Sequence, residues 1–403
     1  MRSQAFTSPA RGAVRKTVDG YWAFHPEPLP RRYALPQEVV TLLDEATGAV
    51  HRLGGLGRLI PNPHLLIGPH VRLEAVLSSR IEGTKTDVGQ LLRFEAGEKA
   101  APDEADDARE VQNYVRAMEH GLRRLSEGLP MSIRLFREMH EQLLTGVRGQ
   151  HRRPGELRSS PVWIGGTTLD DAVFVPPPPD EMHAALGDLE RFLNERDLPL
   201  LVQLALAHYQ FEVIHPFLDG NGRIGRLLIP LMLVLREALP GPLLYLSAYF
   251  EHHRAEYYDH LLITSQKGDV MPWLEFFFRG VRRQAKDAEE RTVRLVELQH
   301  QLRNELLDEG RPNSVVRLAE LLFSTPVITA PGVERMLAVT RPTAQAAIDA
   351  LVERGELMEV TGRQRHRIYE AGRIFGAVYG PVDVDEPSSP QLALDLGTRG
   401  SDR

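Results

Sequence analysis

The chain has 403 residues, enough for two or three domains, with ordinary apolar (42%) and charged (26%) fractions for a globular protein. It contains no cysteine, which excludes disulfides, thiolate nucleophiles and Cys-ligated zinc. Net charge is −7, so any nucleic-acid contact must come from a local basic patch.

The first 18 residues carry positive charge but no apolar h-region, which argues against a secretory signal. No apolar run approaches the roughly 20 residues that span a bilayer; the longest, LLIPLMLVL, reads as a buried helix. The expectation is a cytoplasmic protein without a membrane segment. Residues 1 to about 35, rich in Pro, Arg and aromatics, read as an extended arm on a globular body. From Pro36 apolar residues recur at helical spacing, through VVTLLDEATGAVHRL and GPHVRLEAVLSSRIEG. The acidic stretch 95–110 reads as a loop, with helices following at about 106–127 and 132–145. Two β-prone runs, PVWIG and AVFV, flank a Gly/Thr/Asp turn and predict a hairpin. Prolines 176–179 then force an extended exit.

Helices resume near Asp180 and continue to about residue 309, broken at 215–226, at LPGP and at KGDV. The charged helix at about 285–309 carries a stripe of Leu295, Leu298, Leu302 and Leu306. It reads as a bridge packed on the body, with a homodimer contact as the alternative. From Pro312 to about Gly380 the order is helix, helix, helix, basic hairpin, as in a winged helix-turn-helix. Thr329 and Thr340 are its candidate N-caps. Arg335, Arg341, Arg363, Arg365, His366 and Arg367 suit a DNA backbone, while Ala344, Ala346 and Ala347 leave little base-reading chemistry, so protein docking is the competing reading. The tail after Pro381 is Pro/Ser/Asp-rich and is expected to be disordered.

The chemistry concentrates in HPFLDGNGRIGR, from His215 to Arg226. Pro216 disfavours helix at His215, so one helix should end there. Gly220 and Gly222 allow a tight backbone, and a new helix should open at about Asn221. Free N–H groups at that N-terminus, with Arg223 and Arg226 one turn apart, suit a phosphate. Asp219 could hold Mg²⁺ bridging phosphates, and His215 could accept a proton from an attacking hydroxyl. Read from the residues alone, a phosphate-handling loop competes with a mere tight turn bearing solvated arginines.

The stretch HPFLDGNGRIGR resembles the signature of Fic-domain proteins of the Fic/DOC family, His-Pro-Phe-x-Asp/Glu-Gly-Asn-Gly-Arg-x-x-Arg, at every fixed position. RPGELRSSPVWIGG…AVFVPPPP is similar to the family's flap, which clamps the target segment. SSRIEGT is similar to its inhibitory motif, and LSAYFEHHRAEYYDHL to the region that helps hold the nucleotide base. The likeness spans roughly residues 20–290. It implies a mainly α fold: a Fic-type helical bundle core with a β-hairpin flap, joined here to the C-terminal winged helix. It implies transfer of AMP from ATP to a Ser, Thr or Tyr hydroxyl of a target protein, or of the chain itself, with Mg²⁺ and release of pyrophosphate.

Carried over by position, His215 would be the general base and Asp219 the Mg²⁺ ligand. Gly220, Asn221, Gly222, Arg223, Ile224, Gly225 and Arg226 would line the ATP site, with Arg226 on the γ-phosphate. Phe217 is expected to anchor the loop, and Tyr257 or Tyr258 to face the adenine, unless both belong to the core. Glu82 lies near a helix C-terminus capped by Gly83, where a carboxylate opposes the dipole at a cost of about 0.3–1 kcal/mol. The resemblance supplies its partner: the inhibitory Glu pairs with Arg226, Ser78 orients it, and ATP is blocked within one chain. The expected domains are 1–105 (arm and inhibitory region), 106–285 (catalytic core), 286–311 (linking helix), 312–380 (winged helix) and 381–403 (tail). Competing functions are removal of AMP at the same site, phosphotransfer, from which Gly-Asn-Gly departs, and a DNA-binding regulator with a vestigial catalytic domain. His252 and His253 lack a metal-ligand cluster and read as solvated or helix-starting.

Overall fold

A computed structural model describes residues 1, 3–59 and 64–380, so the expected tail lies outside the described residues. The expected arm doubles back on itself. Strands β1 (Gly12–Lys16) and β2 (Trp22–Pro26) pair antiparallel, Val14 opposite Phe24. Phe24 is buried against Phe6 and Phe174 at 5.6 and 5.4 Å between ring centroids, and its N–H donates to the Val175 carbonyl (2.9 Å). The aromatics of this segment therefore form a small core that ties the hairpin to the flap.

Helix α1 (Gln37–Leu59) buries Val39, Ala46, Ala49, Val50 and Leu53, three and four residues apart, as one apolar face. α2 (His64–Ile81) and α3 (Val88–Glu95) follow, the latter opened by an Asp87–Gln90 capping box. α4 (Pro102–Ser126) begins earlier than the acidic composition suggested. Pro102 and the acids Asp103 and Glu104 occupy its first turn, where a fixed φ and negative charge both favour helix. The loop expected over 95–110 shrinks accordingly. α5 (Ile133–Leu144) is capped by the Ser132 hydroxyl.

The flap between α5 and α6 (Pro179–Asn194) pairs the two expected runs antiparallel, but as a minimal hairpin. It makes a single antiparallel bridge, Ile164 to Phe174, closed by the Asp171 carboxylate, which accepts bonds from Thr167 and Thr168. Trp163 and Val173 stay exposed, so no packed face rewards a longer ladder. α7 (Leu200–Ile214) and α8 (Asn221–Leu235) are buried almost all round and form the centre of the bundle. α9 (Ser247–His252) and α10 (Arg254–Lys267) cover them.

α11 (Met271–Asp308) is one helix of 38 residues that runs along α1, so the linking segment expected at 286–311 is its second half. Leu295, Leu302 and Leu306 are buried within the chain, which favours the bridge over a dimer seam. The winged unit comprises α12 (Asn313–Leu321), β3 (Val327–Thr329), α13 (Ala330–Leu337), α14 (Arg341–Glu353), β4 (Met358–Glu359) and β5 (Ile368–Glu370), with β5 central in the sheet. Thr329 caps α13, accepting from the Gly332 N–H (3.3 Å). Thr340 occupies the N-cap position of α14, but its hydroxyl bonds that of Thr343 instead (2.9 Å). An unexpected last helix, α15 (Gly372–Tyr379), returns to α11, where Arg291 donates to the Val378 and Gly380 carbonyls (2.6 and 2.9 Å). Among the described residues no helix is long and apolar enough to cross a membrane.

Candidate active site

α7 ends at Ile214 because Pro216 bars a helical His215. His215 takes a left-handed conformation (φ 50°, ψ 62°), which costs a non-glycine residue about 1–2 kcal/mol. Its Nδ1 faces the Glu212 carbonyl at 3.2 Å; a carbonyl only accepts, so Nδ1 carries the proton and Nε2 keeps its lone pair. Burial pushes the ring's pKa down to about 4, the Glu212 bond working against this and the Arg158 charge adding to it. His215 is therefore a neutral acceptor at neutral pH.

The turn beyond it is built on Phe217, fully buried and stacked on His140 at 3.9 Å. Asn221 accepts from the Phe217 N–H (2.8 Å) and donates to its carbonyl (2.9 Å), so its amide shapes the loop. His140 Nδ1 accepts from the Gly155 N–H, which leaves Nε2–H to donate to the Asp219 carbonyl (both 2.9 Å). Gly220, at φ 77°, is the left-handed N-cap of α8. The N–H groups of Asn221, Gly222 and Arg223 fall in the first turn and have no intrahelical acceptor. Carboxylate Asp219 is 41% exposed, and its Oδ1 accepts from the Gly220 N–H (2.6 Å). The described residues contain no group of three or more His, Asp and Glu able to hold a metal. A single carboxylate nevertheless fits Mg²⁺, which takes its remaining ligands from phosphates and water.

The two arginines are not solvated. Arg223 is buried against Glu110 (3.3 Å), which Arg148 approaches from its other side (3.2 Å), and lies 3.7 Å from Asp219. Arg226, 1% exposed, donates to Ser78 Oγ (2.8 Å), the Ser78 carbonyl (3.0 Å) and Glu82 Oε1 (2.6 Å). Ser78 thus bears on the pair through its arginine member. Gly83 (φ 104°) turns the chain at the end of α2 and leaves the Glu82 side chain one-third exposed. Burial raises the Glu82 carboxyl pKa, but the Arg226 charge and hydrogen bond, with Arg223 behind, outweigh it and hold the group below its ordinary value. A Cβ on Gly222 would collide with that carboxylate.

Three expected ATP contacts fall elsewhere. Ile224 is fully buried in the core. Gly225 admits the Glu212 carboxylate, which a Cβ there would strike, and its carbonyl binds His208 Nδ1 (2.9 Å). Tyr257 is fully buried, its hydroxyl on His208 Nε2 (2.8 Å), so it anchors α10; Tyr258 is the exposed one, with Arg254 5.9 Å from its ring centre. The histidine of MHEQLL, His140, reads from sequence as scaffold and is that, whereas Arg158, Glu110 and Glu212 are not singled out by the sequence. Each acts on partners distant in sequence or on backbone atoms, which spacing does not reveal.

The family comparisons agree with this architecture. Residues 40–123 match the Fic/DOC family N-terminal region, 130–233 the Fic/DOC family domain, and 315–369 an HTH DNA binding domain. Protein adenylyltransferase Fic of Aedes aegypti is 33% identical over 186 residues, 43% of this chain and 32% of that protein. The enzyme of that name from Drosophila erecta is 30% identical over 174 residues, 42% and 32% of the two chains. The match therefore spans about a third of the length of these curated relatives. A Fic family protein from Desulfovibrio desulfuricans G20 shares the fold, with TM-score 0.53 and 21% identity over 84% of this chain and 97% of its own. The chain thus carries both Fic/DOC family regions in order, at residues 40–123 and 130–233, on a fold shared with a Fic family protein.

Proposed function

We propose that this chain is a protein adenylyltransferase restrained by its own Glu82. The observation that carries the reading is the pairing of a neutral acceptor, His215 Nε2, with the unpaired first-turn N–H groups of α8 across one rigid loop. A target Ser, Thr or Tyr hydroxyl attacks the α-phosphorus of ATP; the new P–O bond forms as the bond to the bridging oxygen breaks. Pyrophosphate leaves, and the hydroxyl proton passes to His215. Gly220 shapes the turn, its own N–H bonded to Asp219; Asn221 and Gly222 hold phosphates through their free backbone N–H groups, and Arg223, fixed by Glu110, adds charge. Asp219 would hold Mg²⁺, which when bound neutralises phosphate charge. Arg226 takes the γ-phosphate once Glu82 leaves, Tyr258 lies at the rim for the base, and the flap holds the target segment. The named activity of the curated relatives supports this reading. The cytoplasm is the setting we propose, since a chain without cysteine fits a reducing compartment. We divide it into an inhibitory N-terminal region, a catalytic core, the α11 bridge and a winged helix.

Incubation of wild type, Glu82→Gly and His215→Ala with labelled ATP, Mg²⁺ and a lysate tests the proposal. Label should appear with Glu82→Gly above wild type and be absent with His215→Ala. No label from any of the three sinks the transferase reading; equal label from wild type and Glu82→Gly sinks the restraint.

A second reading concerns the winged helix. Arg363, Arg365, His366 and Arg367 stand exposed on the β4–β5 wing and make no ion pair among the described residues, which suits a phosphate backbone. Binding of duplex DNA that weakens as salt rises, and is lost on changing the three arginines to glutamate, is the expected result. Salt-independent binding to a protein instead would replace it.

A further inference from the structure

Arg158 is a cation where a cation is expensive. It is 1% exposed and makes no ion pair among the described residues, and burial, opposed by Tyr21, pulls its pKa down to about 10. Its donors go instead to four carbonyls. Nε reaches the His215 carbonyl (2.8 Å), and Nη2 reaches those of Ile214 (3.2 Å) and Pro177 (2.6 Å). Nη1 reaches that of Ser160 (3.3 Å), and the Arg158 N–H donates to the Pro216 carbonyl (2.9 Å).

These acceptors are not scattered. Ile214 and His215 supply orphan carbonyls at the negative end of α7, where a cation is favoured. Ser160 and Pro177 lie where the chain enters and leaves the flap. One planar fork therefore holds the left-handed turn at His215 and both feet of the flap. A neutral amide has too few donors for this, and a lysine lacks the fixed fork geometry.

We propose that Arg158 is the positioning residue that locks His215 and the target-holding flap into one register. The proposal rests on His215 being the base. Misplacement of a reacting group by about 1 Å costs on the order of 100-fold in rate, and that is the loss expected when the fork is removed. Binding of ATP, made at α8, should change little.

The test uses the Glu82→Gly chain as parent and compares Arg158→Gln and Arg158→Lys. Arg158→Gln should lower kcat about 100-fold, with the Kd for ATP within about threefold (under 1 kcal/mol); Arg158→Lys should recover part of kcat. The hydrogen-bonded Nδ1–H proton resonance of His215, assigned by its loss in His215→Gln, should disappear in Arg158→Gln. The proposal is overturned if Arg158→Gln lowers Tm but keeps kcat within about threefold (under 1 kcal/mol). It is equally overturned if Arg158→Lys recovers nothing, or if the Nδ1–H resonance persists in Arg158→Gln. Should Arg158→Gln not fold, Arg158→Lys carries the test: its kcat must lie below the parent's with ATP affinity kept. Should the parent transfer no AMP, the functional reading fails, and the resonance still decides whether Arg158 holds the histidine.

Discussion

Replacing Glu82 with glycine tests whether the Arg226 pair acts as a lock. Arg226 keeps its two bonds to Ser78 (2.8 and 3.0 Å) and loses only the 2.6 Å bond to Glu82. A hydrogen bond between charged groups contributes about 1.5–3 kcal/mol. Glu82 is one-third exposed, so solvent screening places the pair at the lower end, about 1.5–2 kcal/mol. At 1.4 kcal/mol per tenfold, ATP should bind about 10–30 times more tightly to Glu82→Gly, because it no longer has to displace the carboxylate. Calorimetric titration of wild type, Glu82→Gly and Glu82→Gln with Mg²⁺ and ATP measures this, with AMP as the control that lacks a γ-phosphate. Glu82→Gln keeps the length and loses the charge, so it should show most of the gain. Without nucleotide the glycine variant should melt lower, since Arg226 is left buried without its carboxylate, and ATP should restore it. Equal ATP affinities for wild type and both variants would refute the lock. An equal gain for AMP would also refute it, showing that Glu82 blocks entry in general instead of competing for Arg226.

Four further outcomes follow from the same geometry. His215→Ala in the Glu82→Gly chain should lower kcat by about 10²–10⁴-fold and leave the ATP Kd nearly unchanged, since the histidine acts on the target hydroxyl. With the His215 pKa at about 4, the base stays neutral on the acid side of neutrality, so kcat of Glu82→Gly should hold nearly flat from about pH 8 to 5.5. A histidine at its ordinary value would lose about tenfold over that range. Removing the Glu82 charge, which raises the His215 pKa, moves the acid limb lower still. Asn221→Ala strands the buried Phe217 N–H and carbonyl and should cost about 2–4 kcal/mol, read as a lower denaturant midpoint together with lost transfer. Gly222→Ala puts a Cβ where the Glu82 carboxylate lies; it should expel the glutamate yet fail to tighten ATP as Glu82→Gly does, because the methyl fills part of the same space.

The sequence made the loop legible because its instructions are local. Pro216 ends a helix, Gly220 permits a left-handed cap, and both act through backbone sterics within a few residues. The breaks at KGDV and LPGP were readable for the same reason. What failed to show depended on partners far along the chain. The clamp of Arg158 on carbonyls at 160, 177, 214 and 215 leaves no spacing pattern, because carbonyls belong to every residue. Tyr257 and Tyr258 are adjacent, yet one turns into the core, onto His208 and Phe250, and the other to solvent; both partners lie far from it in sequence or on another helix. The flap keeps one bridge of the hairpin that its residues predict, with Trp163, Ile164 and Val173 left exposed. Residues 286–311 were legible, by contrast: the Leu295, Leu302 and Leu306 stripe reads as a packed bridge despite the surrounding charge, and those residues are buried in α11.

Under the proposed function, the charge balance of the site gives restraint and activity one residue pair to share. His140, His208 and His215 are all held neutral by burial, with pKa values pushed down to about 4, 3 and 4, so they add no positive charge. Arg158 is spent on carbonyls and Arg223 is matched by Glu110. Arg226 is then the cation whose partner decides the state. The nearby Glu212 carboxyl does not fill that role: burial pushes its pKa up to about 7, and its Oε1 has no hydrogen-bond partner. Unlike Arg158, whose donors are satisfied by carbonyls, Arg226 is paired with an anion, Glu82 from the end of α2, still one-third open to solvent. An anion held more deeply would be hard for a triphosphate to displace, and one held less firmly would leave Arg226 unpaired and the bundle weaker. In the proposed restraint, the partial exposure of Glu82 is the feature that would let one arginine stabilise the resting fold and still be released to a nucleotide.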